Sequence, residues 1–160
     1  VTNEYSRRHL LLRGSTALLL LGSVGHTAPA WGNGAGDVVT ITTASGEELH
    51  FIVEIARTSA ERSVGLMHRD RLDPDQGMLF VYEAEKIVTM WMRDTRIPLD
   101  MLFIGADGRI ATIRERAVPF SEEVINSRKP IVAVLELNGG TVSRLDIKPG
   151  DAVLLPEGAR

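Results

Sequence analysis

The chain has 160 residues, with 18 lysines and arginines against 21 aspartates and glutamates and a net charge of −3 at neutral pH. It contains no cysteine, which excludes disulfides, thiol redox chemistry, cysteine nucleophiles, zinc–thiolate sites and iron–sulfur clusters. A mildly acidic chain without a long basic run gives no electrostatic reason to expect nucleic acid or an anionic membrane surface as a partner.

At the N-terminus, Ser6-Arg7-Arg8-His9-Leu10-Leu11 leads into an apolar stretch that ends at Ala28-Pro29-Ala30. Paired arginines, a moderately hydrophobic run and small residues at an A-x-A-like site match a twin-arginine signal peptide over 1–30, cut after Ala30. A membrane span needs about 20 consecutive apolar residues, and Arg13, Gly14, Ser15 and Thr16 interrupt this run. The expected location is periplasmic or secreted, without stable membrane insertion after cleavage. Losing residues 1–30 removes three arginines and one glutamate, leaving 15 basic against 20 acidic residues and a net charge of −5. About 130 residues remain, the size of one ordinary domain. Only His50 and His68 survive among the histidines, so a metal site built on several imidazoles is excluded and no cofactor is implied.

A Gly-rich linker over 31–37 precedes a single domain over 38–156. Val38 to Thr42 alternates and is rich in β-branched residues, as a half-buried strand requires. A turn at 44–47 returns the chain into a partner strand from Leu49 to Ile55, with Leu49, Phe51, Val53 and Ile55 on one face. Thr58-Ser59-Ala60-Glu61 is a capping box opening a short helix toward Met67. Strands are expected over 78–82, 88–92, 99–104, 109–117, 131–137 and 152–155, with at most one helical turn over 142–145. Short strands at hairpin spacing and one good helix predict a mainly β (α+β) domain, a curled or closed, barrel-like mixed sheet. No internal repeat is present.

Glu61 to Arg69, Gly77-Met78-Leu79-Phe80, Trp91 to Asp100, Val134 to Thr141 and Ile147 to Asp151 follow one another in an order that resembles domain of unknown function family 192. The resemblance covers essentially the whole predicted domain. Met90 and Asp94 stand where that family's pattern leads one to expect an aromatic residue and an asparagine. The resemblance implies a small β-rich exported or membrane-associated domain of bacteria or archaea, and it brings no agreed biochemical activity.

Candidate chemistry therefore rests on the residues. Trp91, Arg93, Asp94, Thr95 and Asp100 interrupt two apolar stretches, and strand alternation would put Trp91, Arg93 and Thr95 on one face. Asp100 and Glu136 are carboxylates in otherwise apolar strands. Each is either a member of a buried ion pair, with Arg93 or Arg96 for Asp100 and Arg69, Arg93 or Arg62 for Glu136, or half of an acid–base pair across one cleft. Asn138-Gly139-Gly140-Thr141 before a helical turn resembles an anion cradle, but it lacks a full phosphate-loop pattern and turn and capping duty is the favoured reading. The methionines cluster, and Met90 and Met92 with His68 offer soft ligands that copper would take, against methionine's ordinary work as core filler. The first reading is a binding or accessory protein that holds a small polar ligand or cell-envelope component at Trp91, Arg93, Thr95, Asp100, Glu136 and Asn138. A carboxylate-based hydrolase or lyase acting on envelope carbohydrate is the alternative, and a copper-handling protein the third.

Overall fold

The computed structural model describes residues 36–159, all within one unit, Asn33–Arg160. The signal-peptide reading of 1–30 and the linker up to residue 35 lie outside the described residues.

Strict alternation builds the first hairpin. Strand β1 (Asp37–Thr42) pairs antiparallel with β2 (Glu48–Ala56), and Leu49, Phe51 and Val53 are buried while His50 and Ile52 face outward. His50 sits opposite Thr40, whose hydroxyl lies 3.1 Å from its Nδ1. From β2 the chain crosses through helix α1 (Ser59–Val64) into β3 (Gln76–Lys86), which lies parallel to β2. A helix is the usual way to make such a parallel return. A two-stranded ribbon, β4 (Thr89–Met90) with β7 (Ile125–Asn126), stands apart from the main sheet. Strands β5 (Leu99–Ile104), β6 (Ile110–Ala117) and β8 (Ile131–Asn138), helix α2 (Thr141–Arg144) and β9 (Ala152–Leu154) complete the fold.

The seven-stranded sheet runs β6-β5-β8-β3-β2-β1-β9. It curls into a half-barrel, and at one end its two edges touch: Arg109 bridges Ala152, Ile110 N–H donates to the Asp151 carbonyl, and Val153 N–H donates to that of Gly108. The core fills the concave side with Ile41, Phe51, Leu79, Leu102, Leu135 and Leu137 among others. Strands β5 and β8 are central and buried on both faces, which explains why their sequences read as apolar runs rather than alternating ones.

Two expectations need correction. The strand over 88–92 is only the short β4, and β7 has no counterpart in the sequence reading. Residues 91–98 form no strand. Thr95 N–H donates to the Met92 carbonyl across a turn in which Asp94 takes φ 54°, so strand alternation does not apply there. Met92 is fully buried and Trp91 is 47 % exposed.

Candidate functional site

Antiparallel register decides which polar side chains can meet. Asp100 pairs with Leu137, and Met101 pairs with Glu136. Directly paired residues share a face and successive residues alternate, so Asp100 and Glu136 project from opposite faces of the sheet. The two carboxylates do not form an acid–base pair across one cleft.

Asp100 lies on the core face and is fully buried. Its carboxylate accepts from the backbone N–H groups of Arg116 (2.8 Å), Gly140 (3.0 and 2.9 Å to the two oxygens) and Val142 (2.8 Å). No arginine side chain supplies the partner that sequence reasoning looked for. Arg96 pairs with Asp70 at 2.6 Å, and Arg93 with Glu122 at 3.3 Å. The anion cradle read at 138–141 is real in form, and the anion at its glycine and helical N–H groups is the chain's own Asp100. Asn138 points elsewhere, its Nδ2 donating to the carbonyls of Leu72 (2.8 Å) and Asp73 (3.0 Å), which ties down the loop before β3.

Glu136 lies on the other face, 4 % exposed, between Met78 of β3 and Met101 of β5. Among the described residues its carboxyl group has no hydrogen-bond or ion-pair partner. Arg69 is paired with Glu54 at 2.5 Å. Arg62 donates to the carbonyls of Arg57 and Val81, the latter at 3.0 Å. Burial pushes the Glu136 carboxyl up to about 8, because removing water penalises the charged form. At neutral pH it is chiefly an uncharged carboxylic acid.

That acid opens onto a pocket of about 310 Å3. Phe80 and Tyr82 stand two and four residues beyond Met78 on the same face of β3 and form one wall. Helix α1 supplies another. Its capping box is complete: Thr58 Oγ1 accepts from Glu61 N–H at 3.1 Å, and Glu61 Oε2 accepts from Thr58 N–H at 2.8 Å. Gly65 ends the helix at φ 49°, where a Cβ would stand 3.0 Å from the Phe80 ring. The helix thus comes close over β3 and places Arg62 5.1 Å from the Tyr82 ring centre, with Lys86 Nζ 4.7 Å from it. Burial raises the Tyr82 phenol to about 12, so it stays protonated.

The rim comes from the irregular segment 91–98. Met92 N–H donates to the Ser121 carbonyl, Phe120 N–H to that of Thr95, and His68 N–H to that of Asp94. These bonds fix Trp91 and the buried Thr95 against the pocket, while the Arg93 guanidinium stacks 4.5 Å from the Trp91 ring centre. Trp91, Thr95 and Glu136 are therefore brought together. Asp100, Asn138 and Arg93 are not part of the lining. Met90 reaches the pocket, Met92 is buried and His68 is exposed, so the soft ligands considered for copper do not converge there. No group of three or more His, Asp or Glu suited to a metal ion occurs among the described residues.

Sequence reasoning missed Tyr82, Phe80 and Lys86 as pocket residues, and considered Arg62 only as an ion-pair partner for Glu136. The signal was present in the two-residue period of β3, but using it required the β3–β8 register that sets Tyr82 on the Glu136 face.

Residues 40–155 match the model of family DUF192, described as Uncharacterized ACR, COG1430. The chain belongs to the DUF192 family. Among solved structures, this DUF192 domain is similar to a protein of Sinorhizobium meliloti 1021 described as a "putative transcription regulator", with 50% identity and a TM-score of 0.73 over 74% of this chain and 92% of that one. A protein of unknown function from Novosphingobium aromaticivorans DSM 12444 is 47% identical, with a TM-score of 0.71 over 73% of this chain and 83% of that one. No curated protein matches.

Proposed function

We propose that this DUF192 domain is an exported binding or accessory protein of the cell envelope, and that it holds a small polar ligand in the pocket floored by Glu136. The observation that carries this reading is a carboxyl group 4 % exposed, without a partner of its own, opening onto an aromatic-walled cavity. Buried polar groups are almost always satisfied. No sealed side-chain oxygen is left without a partner among the described residues, so the Glu136 oxygens are reached from the pocket, where a ligand group can take the place of solvent. The cavity volume of about 310 Å3 lies at the small end of ligand pockets. Export rests on the twin-arginine pattern and the A-x-A-like site, and the envelope is where a protein with that address would meet its ligand.

The experiment is NMR shift mapping of the protein recovered from its own cells, titrated with the low-molecular-mass fraction of a periplasmic extract. Shifts confined to the backbone amides of Tyr82, Trp91, Thr95 and Glu136 support the reading. An unchanged spectrum, or shifts confined to the far face around Asp100, overturns it. The denatured mass of the same preparation tests export: a chain beginning at Trp31 supports it, and retention of residues 1–30 in the cytoplasmic fraction sinks it.

A further inference from the structure

The pocket offers a specific pair of hydrogen-bonding functions at depth. Glu136, as an uncharged acid, has an O–H to donate. Thr95, 5 % exposed, spends its own hydroxyl hydrogen on the Arg93 carbonyl at 3.2 Å, which leaves its oxygen lone pairs able to accept. A donor and an acceptor in one small pocket complement a group that is both, and the strongest uncharged group of that kind is an amide.

Charge points the same way. The other charged or titratable groups in the lining are Arg62 of α1 and Tyr82 and Lys86 of β3. The segment between β3 and β5 contributes Thr89, Met90, Trp91 and Thr95, none of which titrates, and the cross-strand neighbours of Glu136 are Met78 and Met101. A cation would meet two fixed positive charges against a single desolvated carboxyl. An anion would find the Arg62 guanidinium already donating to the Arg57 and Val81 carbonyls and Lys86 Nζ held over the Tyr82 ring, and it would be repelled once Glu136 ionises. Neither suits the depth of the pocket as well as a neutral molecule does.

We propose that the pocket recognises an uncharged ligand through a secondary amide, with the Glu136 acid donating to the amide carbonyl, Thr95 Oγ1 accepting from the amide N–H, and Trp91 against the body of the ligand. This rests on the binding reading above and names its ligand chemistry. Such an amide has two sources in an envelope, an acetamido sugar or a peptide backbone. The acid form is the binding form, so affinity is tied to the proton: it is flat below neutrality and falls toward tenfold per pH unit once Glu136 ionises.

The test titrates the protein recovered from cells with N-acetylglucosamine, N-acetylalanine methylamide, glucose and choline, followed by the amide shifts of Thr95 and Glu136 at about pH 6 and about pH 9. One of the two amides is expected to bind at the lower pH and to weaken by roughly tenfold at the higher, and which one binds identifies the source. Glucose and choline are expected to leave the pocket signals unchanged. Glu136→Gln keeps a donor and should retain binding within about threefold while losing the pH dependence, whereas Glu136→Leu should abolish binding with the spectrum remote from the pocket intact. Choline binding that tightens with pH, or amide binding indifferent to Glu136→Leu, overturns the proposal. If the periplasmic fraction shifts the pocket signals and neither amide does, the amide assignment fails while the binding reading stands. If neither acts on the pocket, both fail.

Discussion

Asp100 and Glu136 sit on neighbouring strands, one register step apart, and both are buried. Asp100 collects N–H groups from Arg116, Gly140 and Val142, joining β5, β6 and α2. Glu136 collects none and instead faces a cavity. Burial alone is therefore no guide to what a carboxyl group does in this sheet. The supply of donors separates a group that holds the fold together from one that weakens it and is open to a ligand.

The comparison breaks most visibly at Asp100. Asn at this position keeps the size but turns an amide NH2 toward backbone N–H donors, so at least one of them loses its acceptor in the core. Asp100→Asn should cost about 3–5 kcal/mol, the scale for removing the charge from a satisfied buried network, read as a lowered urea midpoint at unchanged slope. A loss below about 1 kcal/mol would mean that α2 is held by its packing rather than by this carboxylate.

Glu136 should respond with the opposite sign. Its folded pKa of about 8 lies above its unfolded value of 4.5. Well below pH 4.5 both states are protonated and the group contributes nothing. As pH rises toward 8 the unfolded chain ionises and the folded one does not, so stability is lost through that window. At pH 7 the loss is roughly 3 kcal/mol. Glu136→Gln escapes it and should be more stable than the wild type by about that amount at pH 7, with the gap shrinking to about 1 kcal/mol near pH 5 and vanishing about a unit below 4.5. Parallel stability curves for the two proteins from pH 5 to 8 would show that the carboxyl is not the isolated group described above.

The two faces can also be compared through the backbone they share. At Gly77 a Cβ would point to the core side and stand 2.7 Å from the Glu136 carbonyl oxygen and 2.8 Å from Leu137 Cδ2. Gly77→Ala must push β3 from β8 and should cost about 1–3 kcal/mol, and the same displacement would disturb the wall formed by Phe80 and Tyr82. The expected signature is a lower melting temperature together with altered ligand response. A loss of stability with the pocket signals unmoved would show that the sheet absorbs the strain on its concave side alone.

Much of this architecture was legible in the residues. The alternation of 49–53 fixed the buried face of β2, Thr58 and Glu61 marked the start of α1, and the apolar runs at 99–104 and 131–137 marked the central strands. Both special carboxyls were visible as polar residues in apolar strands, and 138–141 was visible as a place for an anion. What one-dimensional reading could not supply was register. Strand pairing sends Asp100 to the cradle and Glu136 to the pocket, and nothing in the spacing of positions 100 and 136 determines it. The 91–98 segment misled for a different reason. Strand alternation was carried through it from the strand expected over 88–92, but an Asp in left-handed conformation and hydrogen bonds with the 118–121 loop bend it away from the sheet.

Glu61 provides the intermediate case and the smallest expected effect. Like Asp100 it accepts backbone N–H groups, from Arg57 and Thr58 at 2.8 Å each, but it does so in full contact with solvent. The Thr58 and Arg57 N–H groups hold its carboxyl below the usual glutamate range. The sign of its contribution is thus opposite to that of Glu136: it supports α1 above the unfolded value of 4.5, and the support is lost as pH falls through the lowered folded value. Glu61→Gln should lower the melting temperature slightly at neutral pH, and the difference from wild type should disappear in acid. Because water competes for the same donors, this shift should be well below that of Asp100→Asn. A comparable shift would mean that donor number governs these carboxylates irrespective of burial. A small one would establish that the donors around Asp100 matter so much because water cannot replace them.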